Sequence, residues 1–265
     1  MASPSRRSSR RFLPTALAYL VTVAVIVAAA LGGDWERIGH HFFNVDVMRA
    51  MLPEVITVAA RNTVLYTLAS FSIGLVLALA LALMRLSSFI PFRAFALGYI
   101  ELFRGLPALV TLILLAFGIP IAFDLRVPGG SVGAAVMGLS IVAGAYMAET
   151  IRGGIEAVPR GQIEAARSLG MSHGRTMFSI VLPQAFRIMI PPLTNEMVLL
   201  IKDTSLFYII GSTPMTRELV KFARDFMSAR RNATPLTVIA IVYLLITLPL
   251  TYLVRRLEKR TGKGR

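Results

Sequence analysis

The sequence predicts an all-α integral membrane protein with about six transmembrane helices. Three observations support this fold class. The 265-residue chain is 55% hydrophobic and only 16% charged, with a mean hydropathy of +0.69, more apolar than a soluble domain of this length. It contains uncharged runs close to the roughly 20 residues that cross hydrocarbon as a helix. Its Lys and Arg residues lie mainly at the ends of those runs.

Six segments are candidate spans. Five of them are uncharged: residues 12–33, 62–84, 105–123, 127–148 and 232–254. A sixth, residues 188–211, is apolar apart from Glu196, Lys202 and Asp203. Without the sixth span, the loops on either side of it would merge into one long apolar loop. Gly74, Gly118, Gly138 and Gly144 lie inside these segments and permit close helix approach.

The distribution of basic residues predicts the orientation. With both termini in the cytoplasm, seventeen Lys and Arg residues fall on the cytoplasmic side and eight on the opposite side, leaving Arg61, Arg104 and Lys202 in or beside spans. We therefore expect a multi-pass membrane protein with both termini in the cytoplasm. Arg10 and Arg11 faintly resemble a twin-arginine signal. Because the apolar run that follows exceeds a signal h-region of about 7–15 residues, we predict that this segment is retained as an anchor.

Composition excludes or disfavours several chemistries. Cysteine is absent, so there is no disulfide framework and no thiolate metal site, and His40, His41 and His173 lack zinc-ligand spacing. The net charge of +14 could suggest nucleic acid, but the basic residues flank apolar runs instead of forming a stripe with aromatics. No P-loop occurs, the nearest sequence being residues 261–264. We predict a chain that is not an enzyme by itself and holds no cofactor or metal.

The polar loop at residues 152–187 contains a predicted short helix. Residues 162–169 are mostly good helix formers, Gly170 can take the left-handed conformation that ends a helix, and Ser172 can cap the next one. Ala165 and Ala166 have little side-chain bulk, so a partner could approach the backbone closely. An ordinary amphipathic cytoplasmic helix is the alternative interpretation of these residues.

A longer pattern favours a specific family. Glu164-Ala165-Ala166, Gly170 and Ile180-Val181-Leu182-Pro183 together read E-A-A-x3-G-x9-I-x-L-P, which resembles the EAA loop of ABC importer permeases. Other segments resemble the polar amino acid branch of binding-protein-dependent ABC permeases: residues 62–63, 99–107, 145–155, 161–162, 182–185, 202–206 and 248–258. Leu106 departs from the resemblance, because the family usually has a small polar residue there.

The resemblance implies an ABC type I importer permease architecture with a cytoplasmic coupling helix, in the bacterial inner (plasma) membrane. Such a subunit pairs with a second permease, identical or a sister chain, sits on two ABC ATPase subunits and receives solute from an extracytoplasmic solute-binding protein. ATP and Mg would then be bound by the partner ATPase. The solutes would be polar amino acids or related small zwitterions, including opine-like compounds. The predicted ATPase-coupling residues are Gly161, Gln162, Glu164, Ala165, Ala166, Arg167 and Gly170.

The same interpretation divides the chain into three parts. Residues 1–56 form a basic cytoplasmic arm, an additional transmembrane anchor and an external loop, residues 57–255 the permease core, and residues 256–265 a basic cytoplasmic tail. Both basic segments favour anionic membrane lipid, although topology alone accounts for them. Within the core, the apolar spacing of Met215, Leu219, Phe222 and Phe226 predicts an amphipathic helix at the outer membrane surface.

Polar and ionisable residues within the spans are candidates for the pore, because a charge at hydrocarbon depth is costly and normally faces a protein interior or a watery cavity. Glu101 and Arg104 share a helix face and could neutralise each other, as could Glu149 and Arg152. Structural pairing is therefore an alternative to solute contact. The candidate pore or gating residues are Asn62, Glu101, Arg104, Tyr146, Glu149, Lys202, Asp203 and Thr204.

Two other functional classes are compatible with parts of the sequence. An ion-coupled secondary transporter would need no ATPase, but it would leave the Glu164 loop unexplained, and the chain does not suggest two inverted halves. A membrane signalling or scaffold protein with a permease fold agrees with every residue. Transport by the assembled complex distinguishes the importer from the scaffold.

Overall fold

The computed structural model describes residues 9–125 and 127–262, and these residues form helices and connecting turns without a β-strand. The start of the predicted basic arm, Arg126 and the last three residues of the basic tail lie outside the described residues. The helices are α1 (Ser9–Gly32), α2 (Trp35–Phe42), α3 (Val45–Met51), α4 (Arg61–Leu86), α5 (Ile90–Gly105), α6 (Ala108–Ile113), α7 (Ile119–Phe123), α8 (Gly130–Glu156), α9 (Arg160–Ser168), α10 (His173–Thr176), α11 (Leu182–Asp203), α12 (Leu219–Arg230) and α13 (Thr234–Gly262). Shorter π-helical segments cover Val55–Ala60, Leu114–Gly118 and Met177–Val181, and a 3-10 helix covers Thr204–Ile209.

Among the described residues, four continuous helical segments are long and apolar enough to cross a membrane: Val55–Leu86, Gly130–Glu156, His173–Ile209 and Thr234–Lys259. Two further spans are obtained if each of two bent pairs counts as one. Leu17–Gly32 and Trp35–Met51 meet at 77°, and Ile90–Gly105 and Ala108–Phe123 meet at 106°. The helical fold is confirmed, and the predicted number of six spans agrees with this upper count.

The predicted third span, residues 105–123, differs from a single uninterrupted helix. Its helical part begins at Ala108, and the helix before it, α5, ends at Gly105. Pro107 explains the break, because proline disfavours helical geometry in the preceding residue, and Leu106 is extended at φ −89° and ψ 140°. The uninterrupted run of uncharged residues in the sequence indicated an apolar segment, but it did not indicate the bend between α5 and α6.

The main core lies where α4 packs on α8. Gly74 and Gly144 face each other at the contact: a Cβ added to Gly74 would lie 3.0 Å from the Ser140 carbonyl oxygen and 3.4 Å from the Gly144 nitrogen. A Cβ at Gly138 would lie 3.0 Å from a methyl carbon of Leu112 on α6. The predicted role in close helix approach is confirmed for Gly74, Gly138 and Gly144. It is not found for Gly118, where an added Cβ would meet only the side chain of Leu114, four residues earlier in the chain.

A second buried cluster joins the N-terminal segment to the end of the chain. Met51 on α3 and Val55 pack with Leu219 and Phe222 of α12, and all four are fully buried. The predicted amphipathic helix therefore exists, with its apolar face covered by protein. It begins at Leu219, not at Met215, because Glu218 is its N-cap residue, and Met215 precedes it with 77% of its surface exposed.

Candidate coupling loop and membrane cavity

The predicted short helix in the loop between the α8 and α11 spans is α9, Arg160–Ser168. Gly170 follows it at φ 81°, the left-handed conformation expected of a helix-ending glycine. The Gly170 amide donates to the Arg167 carbonyl at 3.0 Å and the Met171 amide to the Ala166 carbonyl at 3.1 Å, the two bonds of a Schellman motif. Ser172 then caps α10 by accepting from the Arg175 amide at 3.3 Å. The helix, the turn and the cap are confirmed.

The residues proposed for ATPase coupling divide between two faces of α9. Gly161, Glu164 and Ala165 are exposed, whereas Ala166 is only 5% exposed and packs inward. The burial of Ala166 follows from the pattern of α9, because it lies three residues after the half-buried Ile163 on the same helix face. Ala166 therefore contributes its small size to the protein's own packing and presents no surface to a partner.

Two polar residues of the loop have intramolecular partners. Gln162 accepts a hydrogen bond from Gln184, which ties α9 to the first turn of α11. The Arg167 guanidinium donates to the Met171 carbonyl at 2.9 Å and so closes the turn after α9. Both side chains fix the position of α9 relative to the span that follows.

Leu169 is a feature of the loop that sequence reasoning missed. It is 85% exposed at the C-terminal end of α9, next to Gly170. This exposed side chain extends the candidate contact surface of the loop beyond Glu164 and Ala165. The signal available in the sequence was a leucine between Ser168 and Gly170, whereas the analysis concentrated on Glu164 to Ala166.

A cavity of about 550 Å³ lies beside the Leu106–Pro107 break. Its polar lining comes from three helices: Arg104 from α5, Tyr146 from α8, and Glu196 and Asp203 from α11. The Arg104 guanidinium carbon lies 5.6 Å from the centre of the Tyr146 ring, and the Tyr146 hydroxyl donates to the Arg104 carbonyl at 3.4 Å. The break in the third span thus opens a space that charged residues from neighbouring helices share.

This cavity has the complementary charges that a zwitterion needs. One guanidinium can bind a carboxylate, and two carboxylates can accept hydrogen bonds from an ammonium group. Its volume lies within the roughly 300–1,000 Å³ of small-molecule sites. Sequence analysis placed Arg104, Tyr146 and Asp203 among the pore candidates but left Glu196 without a partner, because helical phase within α11 does not show which neighbouring helix it faces.

Four of the other pore candidates either contact other residues of the protein or lie outside the cavity. Glu149 forms a 2.7 Å ion pair with Arg152, which also contacts Glu156, so the predicted structural pairing is present. The Thr204 hydroxyl is buried and donates to the Ile201 carbonyl at 2.7 Å. Glu101 and Lys202 are exposed and do not line the cavity, and the described ion pairs do not include the predicted Glu101–Arg104 contact.

The last pore candidate, Asn62, holds a loop. Its amide nitrogen donates to the carbonyls of Met215 at 2.9 Å and Arg217 at 3.1 Å. The Tyr66 hydroxyl donates to the Thr216 carbonyl at 2.8 Å, one turn further along α4. These bonds attach the segment before α12 to the start of α4, which is a positioning role and not contact with the cavity.

Glu218 is a buried acid that sequence analysis did not single out. It is 1% exposed, and its carboxylate accepts hydrogen bonds from the Val220 and Lys221 amides at 2.6 and 2.7 Å. Burial raises the pKa of Glu218 to about 7, although these amide bonds and the Lys221 ammonium act in the opposite direction. Tyr66 of α4 and Tyr243 of α13 also lie near this carboxylate.

We expect Glu218 to make stability depend on pH. The unfolded chain loses this proton near its usual pKa of 4.5 and the folded chain near 7, so the folded state binds more protons between these values. The free energy of unfolding therefore falls as the pH rises from 4.5 to about 7, by a total on the order of 3 kcal/mol, and is constant above. Thermal unfolding in detergent across this range measures the effect. Glu218→Gln should remove most of the difference, and a variant with the wild-type pH profile would contradict this origin.

Within the described residues, no three His, Cys, Asp or Glu side chains form a group that could hold a metal ion. The exposed loop around α9 offers a contact surface, and the cavity beside Pro107 offers a charged binding site inside the helical bundle.

Comparison with known proteins gives consistent matches. The family described as "binding-protein-dependent transport system inner membrane component" matches residues 70–263. The glutamine transport system permease protein of Escherichia coli (strain K12) is 40% identical over 167 residues, covering 62% of this chain and 74% of that protein. The L-cystine transport system permease protein of Bacillus subtilis (strain 168) is 38% identical over 223 residues, covering 82% of this chain and 91% of that protein. A crystal structure of an amino acid ABC transporter with histidines contains a chain that superposes with a TM-score of 0.73 at 36% identity, covering 80% of this chain and 96% of that one.

Proposed function

The chain belongs to the family of binding-protein-dependent transport system inner membrane components, and from this premise we propose that it is the permease subunit of an ABC importer for polar amino acids or related small zwitterions. The observation that carries the proposal is α9: an exposed helix between two membrane spans, ended by a left-handed glycine and tied to α11. The permeases for glutamine and for L-cystine among its relatives support the solute class.

The proposal assigns ATP hydrolysis and Mg to two separate ABC ATPase subunits. A second permease, either the same chain or a sister chain, completes the translocation path, and an extracytoplasmic solute-binding protein delivers solute. Both termini lie in the cytoplasm of a bacterium, and the protein spans the inner membrane. This orientation places α9 on the ATPase side, in agreement with the excess of Lys and Arg there. Residues 57–255 are then the permease core, with residues 1–56 as an additional anchor and external segment.

The exposed residues of the α9 loop would couple ATP binding to the pore. Gly161, Glu164, Ala165 and Leu169 form the contact surface, while Ala166, Gln162, Arg167 and Gly170 fix its shape and position. Coupling requires that the ATP-bound ATPase pair binds α9 more favourably in one pore conformation than in the other, since a partner that binds both equally shifts nothing. A rigid helix with a fixed C-terminal turn meets that requirement better than a flexible loop.

The cavity beside Pro107 is the proposed solute site of this subunit. Arg104 would bind the solute carboxylate, and Glu196 and Asp203 its ammonium group. Tyr146 would position Arg104 through the contact between its ring and the guanidinium. Glu101, Glu149, Lys202, Asn62 and Thr204, which do not line this cavity, would act in pairing, in interfaces or in gating.

Substitutions in the cavity test this assignment. Removing one charge-assisted hydrogen bond costs roughly 1.5–3 kcal/mol, so Glu196→Gln and Asp203→Asn should each raise the solute concentration for half-maximal transport about 10-fold or more. Glu36→Gln is the matched control, because it removes an exposed carboxylate that lies outside the cavity and outside the proposed pore and gating residues. ATP-dependent uptake of radiolabelled glutamine into liposomes containing the whole complex, at a series of glutamine concentrations, measures the concentration dependence. Equal values for all three variants would contradict the assignment.

Reconstitution tests the function itself. The chain is reconstituted in liposomes with the binding protein and with the ATPase encoded by a neighbouring gene. ATP-dependent uptake of labelled amino acids is then measured for wild type and for Glu164→Lys. We expect the ATPase to co-purify with wild type and uptake to require ATP. Uptake driven by an ion gradient without ATP would favour a secondary transporter. Assembly with the ATPase but no uptake of any amino acid would favour a signalling or scaffold protein.

A further inference from the structure

A second cavity, of about 590 Å³, lies between the N-terminal segment and the connection from α12 to α13. We refer to it as the boundary cavity. Its walls include Ile38 and Phe42 of α2 on one side, and Met227 and Ala233 on the other. One wall therefore precedes residue 70, where the family match begins. The volume is that of a small-molecule site, and neither the coupling loop nor the solute cavity uses any of its residues.

The position of the boundary cavity relates it to the membrane surface. Trp35 begins α2 three residues after α1 ends at Gly32, and Ala233 immediately precedes the first residue of α13. Thr234–Lys259 is a candidate span by itself, whereas Leu17–Gly32 counts as a span only together with Trp35–Met51, from which it is bent by 77°. The cavity thus lies at the level where two spans enter or leave the hydrocarbon, and this holds whichever way the chain crosses. Trp35 beside it is 60% exposed, as is common for tryptophan at the membrane interface.

The boundary cavity is held open by hydrogen bonds between its two walls. The Asn232 amide nitrogen donates to the His40 carbonyl at 2.9 Å, and the Thr234 hydroxyl donates to the His41 carbonyl at 3.3 Å. The Asn44 amide in turn donates to the Thr234 hydroxyl at 3.1 Å. These hydrogen bonds join the two walls directly within the protein. The cavity therefore does not depend on a ligand to form.

The lining combines an apolar interior with basic residues at the rim. Arg37 and Arg231 are exposed at the opening, and among the described residues neither takes part in an ion pair. Asp34, the carboxylate in the cavity lining, accepts the Arg37 backbone amide at 2.9 Å and caps α2, and Glu36, next to Arg37 in sequence, is exposed and outside the lining. A ligand that suits this arrangement carries a negative charge at one end and an apolar chain at the other.

We propose that the boundary cavity binds a phospholipid with an anionic headgroup. The acyl chain occupies the space between Ile38, Phe42 and Met227, and the phosphate lies between Arg37 and Arg231. Lipid is present at this depth in any membrane that the protein spans, and basic pockets between spans are suited to acidic headgroups. In the orientation proposed above, the lipid belongs to the outer leaflet and connects α2 to α13.

Binding of fluorescent phosphatidylglycerol to the detergent-solubilised complex tests the proposal. We compare wild type with Arg37→Gln and Arg231→Asn, because asparagine tolerates the left-handed backbone of Arg231 at φ 47°. Each change is expected to weaken binding about fivefold, the effect of one basic residue near an anionic surface. Arg49→Gln, an exposed external arginine outside the cavity, is the matched control and should bind as wild type does.

Further arms of the same experiment separate the sources of binding. Phosphatidylcholine should bind more weakly than phosphatidylglycerol, and free inorganic phosphate should not compete, because it lacks the acyl chain. Ala233→Leu, which fills part of the cavity, should weaken binding of both lipids. Wild-type affinity in Arg37→Gln and Arg231→Asn would overturn the proposal. It would equally be overturned if the variants lost only stimulation by the binding protein, since the arginines would then be a docking surface for that protein.

Discussion

Replacing Gly170 by valine is expected to reduce ATP hydrolysis stimulated by the binding protein to the unstimulated level. Gly170 has φ 81°, a conformation that costs a β-branched residue roughly 1–3 kcal/mol. A Cβ at this position meets nothing within 4 Å, so the cost is in the backbone and not in a clash. The chain can relieve it by unwinding the Schellman turn, which moves Leu169 and the end of α9 away from their partner. Stimulated hydrolysis by the reconstituted complex is the measurement.

Two further variants separate this cause from general damage to the loop. Gly170→Asn should retain most of the stimulation, because asparagine takes the left-handed conformation more readily than valine. Gly174→Val lies in the same loop, within the α10 helix, has an ordinary backbone conformation and also meets nothing within 4 Å. It should behave as wild type does. If Gly174→Val lost as much stimulation as Gly170→Val, the left-handed turn would not be what coupling requires.

Replacing Gly74 by valine is expected to cost about 3 kcal/mol of stability or more, the upper part of the range for overpacked cores. The added Cβ would stand 3.0 Å from the Ser140 carbonyl oxygen, and a backbone atom cannot move aside as a flexible side chain can. Relief therefore requires α4 and α8 to separate along the largest helix contact of the core. Thermal unfolding of the purified chain in detergent, followed by size-exclusion chromatography, measures the loss.

Gly98→Val is the control for helix propensity. Gly98 lies inside α5, and a Cβ there meets nothing within 4 Å, so valine changes the residue type without changing any contact. Its midpoint of unfolding should stay near that of wild type. A Gly74→Val variant as stable as Gly98→Val would show that α4 and α8 can separate at no cost. The close approach of the two glycines would then contribute nothing to the fold.

The sequence predicted the coupling loop in detail, since the relevant interactions are local. Helix formers, a glycine at the end and a serine three residues before Arg175 determine α9, its turn and the next cap without help from the rest of the chain. Which residues of α9 are exposed was harder to predict from the sequence. The α9 pattern groups Ala166 with Ile163, but that this face is the buried one follows from the packing of α9 on α10 and on the π-helical segment Met177–Val181, which is a tertiary relationship.

The cavity and the role of individual charges could not be predicted from local patterns. Glu196 and Asp203 line the same cavity as Arg104 because α11 lies beside the break at Pro107, and no spacing within α11 reveals that. Asn62 shows the same limit: its position near a span predicted a pore or gating residue, but only the structure shows that its amide donates hydrogen bonds to the loop at residues 215–217. Glu218 could not be predicted as a buried acid, because it lies outside the spans, where an acidic residue is not unusual.

The continuity of α8 from cavity to loop has a mechanical consequence. Tyr146 lines the cavity and Glu156 ends the helix ten residues later, which is about 15 Å at 1.5 Å per residue. α8 contains no proline, whereas α11, which also reaches from the loop to the cavity, contains Pro191 and Pro192 near its middle. A displacement of α9 is therefore transmitted to the cavity through two helices, α8, which has no proline hinge, and α11, which has one. We therefore expect the two walls of the cavity to move by different amounts when α9 is displaced. Tyr146 should move with α8 as a rigid body, whereas Asp203 should shift relative to it because α11 bends at its prolines.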